Sequence, residues 1–255
     1  MPLVDLGGVR VSRFIVGGNP FSGGSHTSAE LDRDMRDHYT VERIKATLRE
    51  CEAEGINTFI GRGDNHIIRL LNEYRQEGGA IQWIGQTAPE MASVTENVRR
   101  IAASGAKCCF MHGGMSDCME AEGKLEALRE PIELGKSLGM VMGIAGHRPR
   151  THLRAVELGL GAQFHCCCFY NLSDRPQTYL PDDRDAMVEA IRQLPAPAIG
   201  YKIMAAGRND PDEAWSYAFA KIRATDAVCV GVFTKYRTDE ARRCAELTRR
   251  YGSRG

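Results

Sequence analysis

The chain has 255 residues, 43% of them hydrophobic, and its 33 lysines and arginines balance 33 aspartates and glutamates to a formal net charge of zero. That size can bury a large core, and α/β barrels of this length fold as one unit, so one domain over residues 1–255 is expected. Balanced charge gives no electrostatic case for nucleic acid or an acidic membrane surface. No apolar run reaches the roughly 18 residues of a membrane span, and the opening "MPLVDLGGVRVSR" lacks the basic-then-apolar order of a secretory signal. A cytoplasmic protein acting on a small molecule is expected, of unspecified oligomeric state.

In chain order, short apolar runs rich in β-branched and aromatic residues occur at "RFIVGG", "INTFIG", "IQWIGQ", "AKCCFMH", "MVMGIAGH", "AQFHCCCFY", "AIGYKIMAAG" and "AVCVGVF". Each is bounded by turn residues, which reads as a strand. The segments between them have helical spacing. In "TVERIKATLRECEAEG" Val41, Ile44, Leu48 and Cys51 form one face and Gly55 stops the helix. "TENVRRIAASG", "LEALREPIELGKSLG", "THLRAVELG" and "TDEARRCAELTRRYG" repeat the design. Strand and helix alternating eight times, with right-handed crossovers, most simply close into a (β/α)8 TIM barrel; an open doubly wound sheet is the alternative. The one long irregular stretch, residues 19–39, follows the first strand of this barrel, where a loop of that length suits a substrate-covering element.

Nine cysteines sit mostly inside apolar runs without C-x-x-C spacing, as expected of reduced thiols used for packing. In "HCCCFYNLSDR" the alternation of a strand puts Cys166 and Cys168 on one face and Cys167 on the other with His165 and Phe169. These three thiols cannot converge on one metal ion.

Barrel enzymes work with residues at the carboxyl ends of their strands. Here those are Asn19, Arg62, Asp64, Gln86, His112, His147, Asn171, Lys202 and Arg208. His112, His147 and His165 come from three neighbouring strands, and imidazoles so placed can share a divalent metal with an open coordination position. His165 lies six residues before Asn171, on the order of 20 Å at ~3.3 Å per residue, which opposes this set unless the strand ends near Phe169. Packing inside the wall is the other reading of each histidine.

At these residues the chain resembles the aldo-keto reductase superfamily over nearly its whole length. "LGGVRVSRFIVGGNPF", "GINTFIGRGD", "CCFMH", "GKSLGMVMGIAGHRPRTHLRAVELG" and "FYNLSDR" are similar, in order and spacing, to segments of that family. "YKIMAAGR" and "GVFTKYRTDEARRC" fall where the family places its last strands and pyrophosphate-binding turns. The resemblance implies a barrel that binds NADP and reduces carbonyls through an aspartate, a tyrosine, a lysine and a histidine. Of these only His112 is kept: Ile60 or Gly61 stands for the aspartate, His66 for the tyrosine and Gln86 for the lysine. The positions matching the nicotinamide-holding side chains are Ala145, Gly146 and Cys167, which would make Cys167 an inward residue.

Without proton relay and nicotinamide clamp, hydride transfer loses its orienting contacts. The expectation is therefore proton-transfer chemistry, as a lyase, isomerase or hydrolase, on a small polyhydroxylated or carboxylated substrate. His112, with a pKa near neutrality, would be acid/base, Asp64 and His66 the second proton-transfer group, and Lys202 and Arg62 would hold negative charge. Asn19, Gln86, Asn171, Arg208, Lys235 and Arg237 would bind substrate, with a divalent metal between His112 and His147. The alternatives are an NADP-dependent reductase using His66 as proton donor, and a non-catalytic ligand-binding barrel.

Overall fold

The computed structural model describes residues 1–170 and 182–253. Two strands precede the barrel: β1 (Leu3–Leu6) and β2 (Val9–Ser12) pair antiparallel. Gly7 and Gly8, with φ of 64° and 94°, supply the left-handed turn that such a two-residue hairpin requires. The hairpin was not read from the sequence as a separate element. Its buried Val4, Leu6 and Val11 plug the floor of the barrel against inward residues including Ile15, Val141 and Phe164.

The barrel strands are β3 (Phe14–Gly17), β4 (Thr58–Arg62), β5 (Gln82–Gln86), β6 (Cys108–Met111), β7 (Val141–Gly146), β8 (Phe164–Cys168), β9 (Ala198–Tyr201) and β10 (Ala227–Gly231). They fall on the eight apolar runs of the sequence. All pair in parallel and in chain order, and β10 returns to β3 with Val228 opposite Phe14 and Gly231 opposite Gly17, closing the barrel. Arg13 clamps this seam: it donates to the carbonyls of Asp226 (3.1 Å), Arg223 (3.0 Å) and Gly252, and its guanidinium covers the Phe219 ring.

The helices are α1 (Ala29–His38), α2 (Val41–Ala53), α3 (Asn65–Gln76), α4 (Val94–Ala103), α5 (Gly113–Ala121), α6 (Arg129–Ser137), α7 (Pro149–Glu157), α8 (Asp182–Gln193), α9 (Pro211–Lys221) and α10 (Glu240–Gly252). They pack on the outward side chains of the strands, such as Phe59, Trp83, Met111 and Ile144. The stretch expected to be irregular after the first barrel strand instead holds a short 3-10 turn (Pro20–Ser22) and α1. Ser28 caps α1 by accepting from the Leu31 amide, acidic residues open it and basic ones close it, all favourable to its dipole. Only Met35 of α1 is buried, so the sequence shows little apolar periodicity there. No helix among the described residues is long and apolar enough to cross a membrane.

All nine cysteines are free thiols and only Cys118 is exposed. Burial pushes Cys51, Cys108 and Cys229 up to about 12. A disulfide reagent at pH 8 should therefore find one fast thiol in the native protein and nine after unfolding; a count well below nine in denaturant would contradict the reduced state.

Candidate functional site

A cavity of about 810 Å³ opens at the carboxyl ends of the barrel strands. Its wall follows from strand alternation, because the residues that continue the inward faces of β4, β5, β6, β7 and β9 are Arg62, Gln86, His112, His147 and Tyr201, and all five line it. Asn19, His26 and Met35 cover it from the first loop and α1, and Arg237 and Arg243 reach it from the β10 side. The cover is tied down by Asp34, which binds both Lys235 and Tyr236, and by Tyr39, which donates to the Val232 carbonyl at 2.8 Å.

His147 is held by a carboxylate that the sequence analysis missed. Asp117, buried in α5, accepts from the His147 backbone amide (2.9 Å), from His147 Nδ1 (2.8 Å) and from Thr151 Oγ1 (2.7 Å). Burial alone would raise the Asp117 carboxyl, but these hydrogen bonds outweigh it and hold the group below the usual carboxylate range. An ionised carboxylate on Nδ1 assigns the proton of the neutral imidazole to that nitrogen and leaves Nε2 as a proton acceptor toward the cavity. Gly113 makes room for the arrangement: a Cβ there would stand 3.2 Å from His147 Cε1 and 3.3 Å from the Tyr201 hydroxyl.

His112 ends β6 and caps α5, its Nδ1 accepting from the Met115 amide at 3.4 Å. That contact assigns the proton to Nε2. Burial, with Arg62 and His147 nearby, lowers its pKa to about 4, so His112 is uncharged at neutral pH and presents an N–H donor. The expected proton carrier with a pKa near neutrality is thus corrected. The Tyr201 hydroxyl donates to the Gly146 carbonyl at 3.2 Å, and burial, with Cys168 and Asp117 nearby, raises its pKa, keeping it protonated. Burial also lowers Lys202, which lines the same wall.

The other predicted residues divide. Arg62 lines the cavity but shares its charge with Asp64 (3.5 Å) and Glu90, while Asn19 bonds His26 at 3.1 Å. Asp64 is spent capping α3, accepting from the Ile67 amide at 2.9 Å. His66 is exposed in the first turn of that helix, so the pair expected to move a second proton stands outside the cavity wall. Arg208 donates to the Ala205 carbonyl at 2.9 Å and Lys235 binds Asp34, both beyond the wall. Asn171 lies outside the described residues.

The inward face of β8 is opposite to the one expected. Cys166 lines the cavity, while Cys167 and His165 turn to the helix layer. There His165 donates from Nδ1 to Nδ1 of His152 (3.2 Å), whose Nε2 donates to the Gly146 carbonyl (3.3 Å). The three-histidine metal set therefore does not assemble, and no group of three or more potential ligands occurs among the described residues.

No family model matches the chain, and no curated protein matches its sequence. Solved structures match its fold. A Pseudomonas aeruginosa protein assigned to the aldo-keto reductases is 16% identical, with 97% of this chain and 94% of that one covered at a TM-score of 0.65. The holo form of a Bacillus halodurans aldo-keto reductase gives 14%, 97%, 91% and 0.61. The chain has an aldo-keto-reductase-like fold. D-Psicose 3-epimerase of Clostridium cellulolyticum, solved with D-tagatose, matches at 8% identity, 94% and 98% coverage and a TM-score of 0.58.

His152 and His165 are buried, and burial lowers them to about 4 and about 3. Below pH 6.5 the unfolded chain protonates these rings while the folded chain does not until about pH 4 or lower, so stability falls as pH drops through that window. Each ring contributes a slope of up to about 1.4 kcal/mol per pH unit. Urea denaturation between pH 6.5 and 5 should show the fall, and His165→Leu should flatten it while lowering stability at pH 7; an unchanged slope would contradict the assignment.

Proposed function

We propose that the protein is an enzyme that moves a proton at the carbon beside a carbonyl, as an isomerase or lyase, on a small oxygen-rich substrate. The observation that carries this reading is the Asp117–His147 pair in the cavity wall, with Nδ1 of His147 bonded to the carboxylate at 2.8 Å. Asp117 fixes the tautomer and stabilises the imidazolium that forms when Nε2 takes the proton. His112 supplies an uncharged Nε2–H to the carbonyl oxygen. A neutral imidazole suits that task because it stabilises developing negative charge without surrendering its own proton. Arg62, Gln86 and Lys202, which line the same cavity, would hold the hydroxyl or carboxylate groups of the substrate.

The test is deuterium incorporation from heavy water into small hydroxyketones and aldoses, followed by NMR. His147→Gln should slow exchange by about 10²–10⁴-fold with the fold intact. Asp117→Asn should slow it too, and Gly113→Ala should do so by crowding the His147 and Tyr201 tips. Exchange undiminished in His147→Gln would overturn the reading.

NADP-dependent carbonyl reduction is the second reading, favoured by the fold and by the protonated Tyr201 hydroxyl in the cavity, which would take the donor role given to His66. Micromolar NADPH binding by fluorescence titration, abolished by substitution at the cavity mouth, would promote it over the first.

A further inference from the structure

Lys202 enters the cavity by an exception to strand geometry. Tyr201 is the inward residue ending β9, so an extended backbone would turn residue 202 toward the helices. Lys202 instead has a φ of 58°, and Ala205 and Ala206 follow at 45° and 56°. Among the described residues the only other non-glycine residue with positive φ is His26, which faces the same cavity from its cover. The cover touches this turn directly, Thr27 Oγ1 donating to the Ala206 carbonyl at 3.4 Å. Left-handed backbone at non-glycine residues persists only where the surroundings impose it, and such strain collects at active sites.

The strained turn delivers a primary amine to the wall that holds a base and a donor. Its Nζ lies 5.9 Å from the Tyr201 ring centre, in the wall that also holds His112 and His147. Burial disfavours the ammonium form and outweighs Cys168 and Asp117, which favour it. An amine with a larger neutral fraction is a better nucleophile toward carbonyl carbon.

We propose that Lys202 forms an imine with an aldehyde or ketone substrate carrying an adjacent hydroxyl group. This rests on reading the site as one for proton transfer beside a carbonyl. The Nζ lone pair forms the C–N bond, the C=O π electrons move to oxygen, and one proton passes from the nitrogen to that oxygen through solvent. The nitrogen lone pair then forms the C=N bond and expels this hydroxyl, which takes a proton from solvent and leaves as water, giving the iminium. Nε2 of His147 then takes the proton from the neighbouring carbon, the C–H electrons form a C=C bond and the C=N π electrons move to nitrogen, giving an enamine. Reprotonation at carbon and addition of one water reverse the linkage and free the amine, with no net oxidation or reduction.

The experiment is reductive trapping on the full chain at pH 7, with cyanoborohydride and either formaldehyde or dihydroxyacetone, followed by peptide mapping. Lys202 should be alkylated at least about tenfold faster than the exposed Lys107 and Lys124, as a desolvated amine would be. Modification of Lys202 no faster than those lysines, with both carbonyl probes, would overturn the proposal. Lys202→Arg keeps the positive charge but cannot form an imine, so it should abolish deuterium exchange; exchange retained in this variant overturns the imine and leaves the proton-transfer reading standing. Fast trapping at Lys202 in a protein that exchanges no deuterium supports the imine site and removes the proton-transfer reading.

Discussion

Closure of a parallel barrel gives every strand residue one of two destinations, the axis or the helix layer, and the candidate site depends on that division. At the carboxyl ends the inward positions fall on Arg62, Gln86, His112, His147 and Tyr201. At the other end they are mostly apolar and closed off by the β1–β2 hairpin, with Thr58 and Gln82 as polar exceptions, Gln82 donating to the Arg10 carbonyl of the hairpin at 2.9 Å. The cavity therefore has an apolar floor, including Ile60, Phe110, Cys166 and Ile199, and a polar rim, the condition under which rim dipoles and charges act strongly. Lys202 is the informative exception, because it joins the rim through backbone strain and not through alternation.

Alternation selects which side chains meet, and hydrogen bonds decide what they can do. His147 and His112 stand in one cavity with opposite assignments. A carboxylate holds Nδ1 of His147, whereas a helix amide is donated to Nδ1 of His112. One ring is an acceptor at Nε2 and the other a donor at the same atom. Neither assignment is visible in residue type. Both follow from α5, which begins at His112 and carries Asp117 one turn later.

The barrel was legible in the sequence because eight short apolar runs and their intervening helical faces are local patterns, and those runs are the eight strands observed. The hairpin is signalled by "LGGV" between alternating residues, a short-range cue that lies outside the eight apolar runs. Helix α1 was hidden because it buries only Met35. At β8 the failure has a different cause. A strand buried on both faces carries no polar contrast, and "FHCCC" is buried throughout, so the alternation was readable but not which face pointed inward. Asp64 and His66 were misplaced because residues just past a strand can belong to the next helix cap, as Asp64 does. Asp117 had no motif to announce it, since its role exists only once α5 lies against the end of β7.

The second layer behind the wall ties the site to the core. The Gly146 carbonyl accepts from Tyr201 on the cavity side and from His152 on the helix side, and His152 in turn accepts from His165. Both rings are neutral because burial penalises their charged forms. Neutral His152, oriented by His165, donates to that carbonyl without placing a positive charge behind Tyr201, which would favour loss of the phenolic proton. The arrangement sets one acceptor, Nε2 of His147, and one donor, Nε2–H of His112, in the wall of one cavity, while the Tyr201 proton is held by the Gly146 carbonyl. A base and a fixed donor in one wall are the polarity that the proposed proton transfer beside a carbonyl would use. Ala145 and Gly146, beside this pair at the end of β7, bring no polar side chain to the rim, so its polarity comes from the neighbouring strand ends.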